Sequence, residues 1–192
     1  MPLSRLCRFD CIESMRGFFV AILLAASFAA RGETLTGQVV GVSDGDTITI
    51  LDEVKAQHKI GVAGIDAPEK TQPFGHGSKQ NLSKLVFGKL VLVDYSKRDK
   101  YGRIVGKVIV ASPDACPEIL SNCPKTLDAG LAQITVGLAW HFKKYAAEQR
   151  PEDRKMYALA EEEARAKHAG LWRDSAPLPP WEFREGKIDR RR

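Results

Sequence analysis

The segment Gly64-Ile-Asp-Ala-Pro-Glu69 constrains this chain more than any other. It sets two carboxylates, Asp66 and Glu69, three residues apart at the end of an apolar run, with Pro68 between them. Proline fixes φ and restricts the residue before it, so the chain turns here and continues neither as a strand nor as a helix. Acidic residues flanking a proline at a strand end do nothing for a core. Held close on a rigid turn, they suit a hard divalent cation, or a cation ligand beside a general base. A second acidic turn, Asp44-Gly45-Asp46, lies upstream. Alone it reads as an ordinary Asx-rich turn. The expectation is that the two turns meet in space and form a metal site.

The flanking pattern says what carries these turns. Val39, Val40 and Val42 precede the first turn, and residues 47–51 alternate β-branched polar and apolar side chains, the mark of a half-buried strand. Residues 58–65 form a third strand leading into Asp66. Residues 75–87 change period: Leu82, Leu85 and Val86 share one helical face, with Ser78 helping to start the helix and Gly88 stopping it. Strands follow at 90–93 and 104–110, then a loop insert at 111–125, a short helix at 126–136 and a long one at 151–168. Pro151 lies in the first turn of that helix and Gly170 just past its end. Five short strands with a helix between the third and fourth predict an α+β protein: a five-stranded Greek-key barrel of the OB type with about three α-helices. The organisation is a leader (1–32), one domain (33–175) and a Pro-rich, basic tail (176–192) expected to be extended.

The leader contains Phe18–Phe28, FFVAILLAASF, too short to span a bilayer and right for the apolar region of a signal peptide. Small residues follow, at Ser27-Phe28-Ala29 and Ala30-Arg31-Gly32. Asp10 and Glu13 are unusual so early in a signal peptide, and Met15 is the expected start of translation. The chain is therefore expected to be exported, to the periplasm or the medium, with no stable membrane anchor after cleavage. The 192 residues carry a formal net charge of +5, but residues 1–32 hold four arginines and two acids, which leaves +3 on the rest. That balance favours a polyanionic partner only weakly. With 44% hydrophobic and 28% charged residues, a disordered chain is excluded. Cys7 and Cys11 fall in the leader. Cys116 and Cys123, in an oxidising compartment, are expected to form a disulfide, since their spacing is wrong for a zinc knuckle.

Asp99-Lys100-Tyr101-Gly102-Arg103 precedes the fifth strand. Gly102 permits a tight turn, and Arg103 presents a guanidinium able to grip a phosphate with two parallel hydrogen bonds. Acids for a cation, an acid free to act as base, and an arginine for phosphate charge point together to phosphodiester hydrolysis. His58, His76, His141 and His168 form no metal or triad spacing. Trp140 and Trp172 are expected in the core or at helix contacts.

The ordered set DGDT (44–47), GIDAPE (64–69), DKYGR (99–103), GLAW (137–140) and AGLW (169–172) resembles the staphylococcal nuclease family, over roughly residues 35–174. The resemblance implies an OB-fold barrel, a calcium ion, a DNA or RNA substrate and a monomer. Position by position, it implies that Asp46 and Asp66 ligate the metal through carboxylates and Ala67 through its carbonyl, with Asp44 behind them. It makes Glu69 the general base and Arg103 the stabiliser of phosphoryl charge. It places Lys100 and Tyr101 on a substrate phosphate and Tyr145 against the nucleotide.

One departure is consequential. The family usually carries a second active-site arginine five residues before the Asp66 position, and here that residue is Gly61. Loss of one preorganised donor lowers rate by on the order of 10²–10³. Lys59 lies on the same strand face and is expected to replace part of the charge, though an ammonium cannot offer a bidentate fork. Unchanged cleavage by a Lys59→Ala variant would refute that role. Smaller departures are Lys143, where an aromatic can occur, and Gly130, in place of a common asparagine. Two functions follow: an exported calcium-dependent nuclease, favoured by intact Asp46, Asp66, Glu69 and Arg103, or a catalytically impaired nucleic-acid or protein binding module, favoured by Gly61.

Overall fold

A computed structural model describes residues 32–112 and 124–186. The leader and the Cys116/Cys123 pair lie outside the described residues. In chain order the strands and helices are β1 (Glu33–Val42), β2 (Thr47–Leu51), β3 (Gln57–Val62), β4 (Ile65–Asp66), α1 (Gly75–Val86), β5 (Leu90–Arg98), β6 (Ile104–Ala111), β7 (Lys125–Asp128), α2 (Ala129–Thr135), β8 (Trp140–His141), α3 (Pro151–Ala166) and α4 (Pro180–Arg184). Two 3₁₀ turns, Lys143–Glu148 and Gly170–Arg173, flank α3.

Five of the strands close a barrel. β1 is long enough to pair with two neighbours, β5 along Glu33–Gln38 and β2 along Gln38–Val42, and it bends at an irregularity between Val39 and Gly41. Such a bulge lets one strand serve two neighbours. β2 pairs with β3, β5 with β6, and the parallel pairing of β3 with β6 (Ile60 opposite Ile104, Val62 opposite Gly106) closes the ring. Alternation drives the closure. In β6, Ile104, Gly106, Val108 and Val110 face inward, and the residues between them face outward. Val39, Ile48, Ile50, Ile60, Val91 and Val93 fill the same interior. Leu82 and Val86 of α1 cap one end, and Ile134 of α2 and Tyr157 of α3 join the core.

Three expectations change. Residues 126–136 are not one helix. Lys125–Asp128 adds a strand to the outer edge of β6, and Asp128 then caps α2 by accepting the N–H groups of Gly130 and Leu131. An aspartate favours just such an N-cap and so divides the segment in two. Ser78 does not start α1. The helix begins at Gly75, and the buried Ser78 hydroxyl donates to the Leu138 carbonyl (2.6 Å). The tail is extended only as far as Pro179. Pro180 then begins the short helix α4, which folds back on the domain. Its docking is aromatic: Trp181 stacks on Phe142 (centroids 5.6 Å) and meets Trp140 edge-on (5.5 Å), while Gln72 donates to the Leu178 carbonyl (3.0 Å). Trp140 and Trp172 are buried, as expected, and the Arg165 guanidinium lies 4.1 Å from the Trp172 ring. Among the described residues, no helix is long and apolar enough to cross a membrane.

Candidate active site

The turn joining β1 to β2 carries Asp44-Gly45-Asp46, and the Asp46 N–H donates to Asp44 Oδ1 (3.2 Å). Gly45 is there for space. A Cβ on it would lie 1.9 Å from the Ser78 hydroxyl of α1. From the other side the buried Gln133 of α2 donates to the Gly45 carbonyl (2.8 Å) and the Ser78 carbonyl (3.0 Å). Two helices thus clamp the turn. Nothing local in the sequence marks Gln133 for this task, because its partners lie 88 and 55 residues away.

The two acidic turns do meet. The Ala67 N–H donates to Asp46 Oδ2 (2.9 Å), joining segments 21 residues apart, and the Thr47 hydroxyl donates to Asp46 Oδ1 (2.9 Å). Burial, and then the charge of Asp44, push the Asp46 carboxyl up to about 7, against the pull of the Ala67 N–H, and Asp66 adds to the rise. Asp66, at the end of β4, is only 4% exposed. Burial pushes its carboxyl up as well, and the hydrogen bonds from Arg184 oppose the rise without cancelling it. Glu69 is half-buried beside it, with its N–H bonded to the Gln72 side chain (2.8 Å). Negative charge is thus concentrated on a short stretch of surface. The donors are hard oxygens, which fit calcium better than any soft metal. Among the described residues, no three His, Cys, Asp or Glu side chains form a cage by themselves. Two carboxylates and the Ala67 carbonyl would leave most of a calcium shell to water.

Arg103 reaches this cleft from the β5–β6 turn. Asp99 organises the turn: Oδ1 accepts the N–H groups of Tyr101 (2.9 Å) and Arg103 (3.0 Å), and Oδ2 accepts Arg103 Nε (2.7 Å). Gly102 takes φ 78°, the left-handed conformation expected of it. Arg103 Nη1 donates to the Thr47 hydroxyl (3.0 Å), so Asp46, Thr47 and Arg103 form one chain of hydrogen bonds. Asp99 is therefore a holder of Arg103, and the ion-pair and phosphate roles are compatible. Burial works against charge on Asp99, but the Arg103 bonds outweigh it and hold its carboxyl below the usual range.

A Cβ on Gly61 would lie 3.7 Å from Arg103 Cζ, in ordinary contact, so a side chain at this position would enter the same cleft. Lys59 is exposed at its edge. Lys100 and Tyr101 stand exposed on the lip, the Lys100 ammonium 5.0 Å from the Tyr101 ring. Tyr145 lies on the 3₁₀ turn along the wall, edge-on to Phe142 (5.1 Å) and with the Lys97 ammonium 4.9 Å from its ring. An aromatic ring flanked by lysines is a common platform for nucleic-acid bases. Lys143 has a different task, since it donates to buried Glu161 (2.7 Å). Gly130 is required by packing, since a Cβ there would lie 2.8 Å from the Tyr157 hydroxyl, which donates to Asp128 (2.9 Å).

One residue of the site is not among those expected from sequence. Arg184, the last residue of α4, donates from Nη1 to Asp66 Oδ1 (3.0 Å) and Glu69 Oε1 (2.8 Å), and from Nη2 to Asp66 Oδ2 (2.6 Å). The available signal was Trp181 and Phe183 in a Pro-rich, basic tail, which marks a segment that docks. It does not say which carboxylates the following arginine meets.

A closed OB-type barrel with two acidic turns and an arginine in one cleft defines a class: proteins built to handle phosphodiesters on an OB scaffold. Comparison with known proteins supplies the particular family. The sequence profile described as "Staphylococcal nuclease homologue" matches residues 59–174. An Escherichia coli protein called "Uncharacterized endonuclease" is 34% identical over 173 residues, covering 90% of this chain and 100% of that one. "Protein ParB" of Escherichia coli is 38% identical over 172 residues, 90% of each chain. "Micrococcal nuclease" of Shigella flexneri is 32% identical over 175 residues, 91% of this chain and 94% of that one. The chain belongs to the staphylococcal nuclease family.

Proposed function

We propose that the protein is an exported, calcium-dependent nuclease that hydrolyses phosphodiester bonds of DNA or RNA. One observation carries the reading: the Ala67 N–H ties the Asp46 turn to the Asp66–Glu69 turn in the cleft where Thr47 holds Arg103. Asp46, Asp66 and the Ala67 carbonyl would hold calcium, which when bound polarises a phosphoryl oxygen and offsets charge in the transition state. Glu69, on the rigid turn after Pro68, takes the proton from the attacking water. A new P–O bond forms as the bond to the leaving oxygen breaks, and Arg103 neutralises the charge that collects on the phosphoryl oxygens. Lys100 and Tyr101 steady a neighbouring phosphate, and Tyr145 offers a face to a base. Export rests on the apolar run at Phe18–Phe28.

The test is release of acid-soluble nucleotide from DNA and RNA, with calcium and with chelator, by the native chain and by Glu69→Gln. The expected outcome is calcium-dependent release that falls by on the order of 10² or more in the variant. Gly61 favours the second reading, a binding module, and calcium-independent oligonucleotide binding without any release would establish that one instead.

A further inference from the structure

Arg184 differs from Arg103, Arg150 and Arg165 in its partners. Arg103 is tethered by Asp99, Arg150 is paired with Asp94, and Arg165 lies over Trp172 and is paired with Glu161. The three bonds of Arg184 all go to Asp66 and Glu69, the two side chains assigned to the metal and to the proton. An arginine placed only to stabilise the fold has no reason to choose those two acids. They must both be released before the site can work, and a cation binding to Asp66 competes directly with the guanidinium. An uncompensated guanidinium in a cleft then prefers the next anion to arrive, and in a phosphodiester site that anion is phosphate.

The surroundings agree. Among the described residues, Arg103 is the other guanidinium whose charge bears on Asp66, and it is already shared with Asp99. β3 offers only Gly61 at the position beside it, and Lys59, two residues earlier on the same strand, is exposed at the edge. Arg184 lies in the same cleft as Asp44 and Glu69, and its side chain is 46% exposed, so a ligand can reach it. It is positioned by Trp181, three residues earlier, against Trp140 and Phe142.

We infer that Arg184 is a second phosphate-binding guanidinium of this site, brought by the C-terminal helix into the cleft that Gly61 lines without charge. Held by Asp66 and Glu69 while the cleft has no ligand, it passes to a phosphate of the nucleic acid when metal and substrate enter. The inference takes its substrate class from the proposed nuclease function.

Glu69→Gln serves as the background for the test, so that the probe stays intact. The probe is a short fluorescein-labelled single-stranded oligodeoxynucleotide in calcium, titrated with Glu69→Gln alone, with Arg184→Gln added, and with Gly61→Arg added to both. The expected loss on adding Arg184→Gln is about tenfold or more in affinity. The slope of log Kd against log salt should fall by about 0.7, the share of one phosphate contact on a single strand. Gly61→Arg, whose Cβ the cleft accommodates, should recover most of both. Calcium binding, measured by calorimetry, should be as tight as before or tighter, and Trp181 fluorescence should show α4 still docked. Unchanged oligonucleotide affinity overturns the inference. So does a loss that tracks weaker calcium binding, which would make Arg184 a positioning residue for Asp66, and so does a gain, which would make the tail a brake. Because binding needs no turnover, absence of cleavage by the native chain would defeat the proposed hydrolysis and leave this result readable.

Discussion

Asp46 shows how a single carboxyl can record the demands of a site. Its two oxygens are bonded to Thr47 and Ala67, yet burial and the neighbouring Asp44 raise its carboxyl to about 7 from the ordinary 3.8. A raised acid binds its proton more tightly in the folded chain. Its contribution to stability is therefore full below about pH 4 and is lost as pH rises through about 7. In chelator, Asp46→Asn should melt at the same temperature as the native chain near pH 3.8, and should gain progressively up to about pH 7. The gain then levels off at an order of a few kcal/mol. Calcium should reverse the order at pH 8 by stabilising only the native chain. Thermal melts across pH, with and without calcium, check both signs. Much of this residue-scale chemistry was legible. Asp46, Asp66, Glu69 and Arg103 lie in short motifs whose turns are dictated by glycine and proline. The sequence could not show that Gln133 clamps Gly45 or that Arg184 meets Asp66, because those contacts join residues 88 and 118 positions apart.

The elements were legible where one periodicity ran unbroken and illegible where two local preferences met. β6 alternates without a break and was expected almost as it stands. Residues 126–136 hold a strand and a helix with Asp128 as the boundary, and an 11-residue window blends them. α2 proves to be more than cover for the barrel, since its Gln133 fixes the Asp44–Asp46 turn. Gln133→Leu should lose about 1–3 kcal/mol in urea unfolding, because the Gly45 carbonyl would lose its Gln133 donor and the Asn81 amide its acceptor. It should also weaken calcium binding, as the Asp44–Asp46 turn loosens. α4 depends on packing alone, since a five-residue helix has no independent stability. Trp181→Ala should free it, lower the melting temperature by a few degrees, and reproduce the loss of oligonucleotide affinity expected for Arg184→Gln. Should affinity stay at the native level in Trp181→Ala, α4 is not what delivers Arg184.

At the scale of the molecule, a net charge of only +3 on residues 33–192 says little about a polyanionic partner. Distribution says more. Lys59, Lys97, Lys100 and Arg103 line the same cleft as Asp46, Asp66 and Glu69. Association with DNA should therefore be steered locally and weaken steeply with ionic strength. Initial cleavage rates at subsaturating substrate should fall several-fold between low and moderate salt, with a smaller effect at saturation, and stopped assays across a salt series measure this. The segment that follows residue 175 is joined to the domain by contacts, since it supplies Trp181 to the Trp140–Phe142 surface and Arg184 to the acids.

That late segment bears on when the protein first becomes whole. The acids Asp66 and Glu69 leave the ribosome first, and the guanidinium that balances them leaves more than a hundred residues later. A growing chain can have all its barrel strands outside the ribosome while α4 is still inside. A cell making an enzyme against nucleic acid thus has this part of the cleft delivered only after the barrel strands that carry its acids.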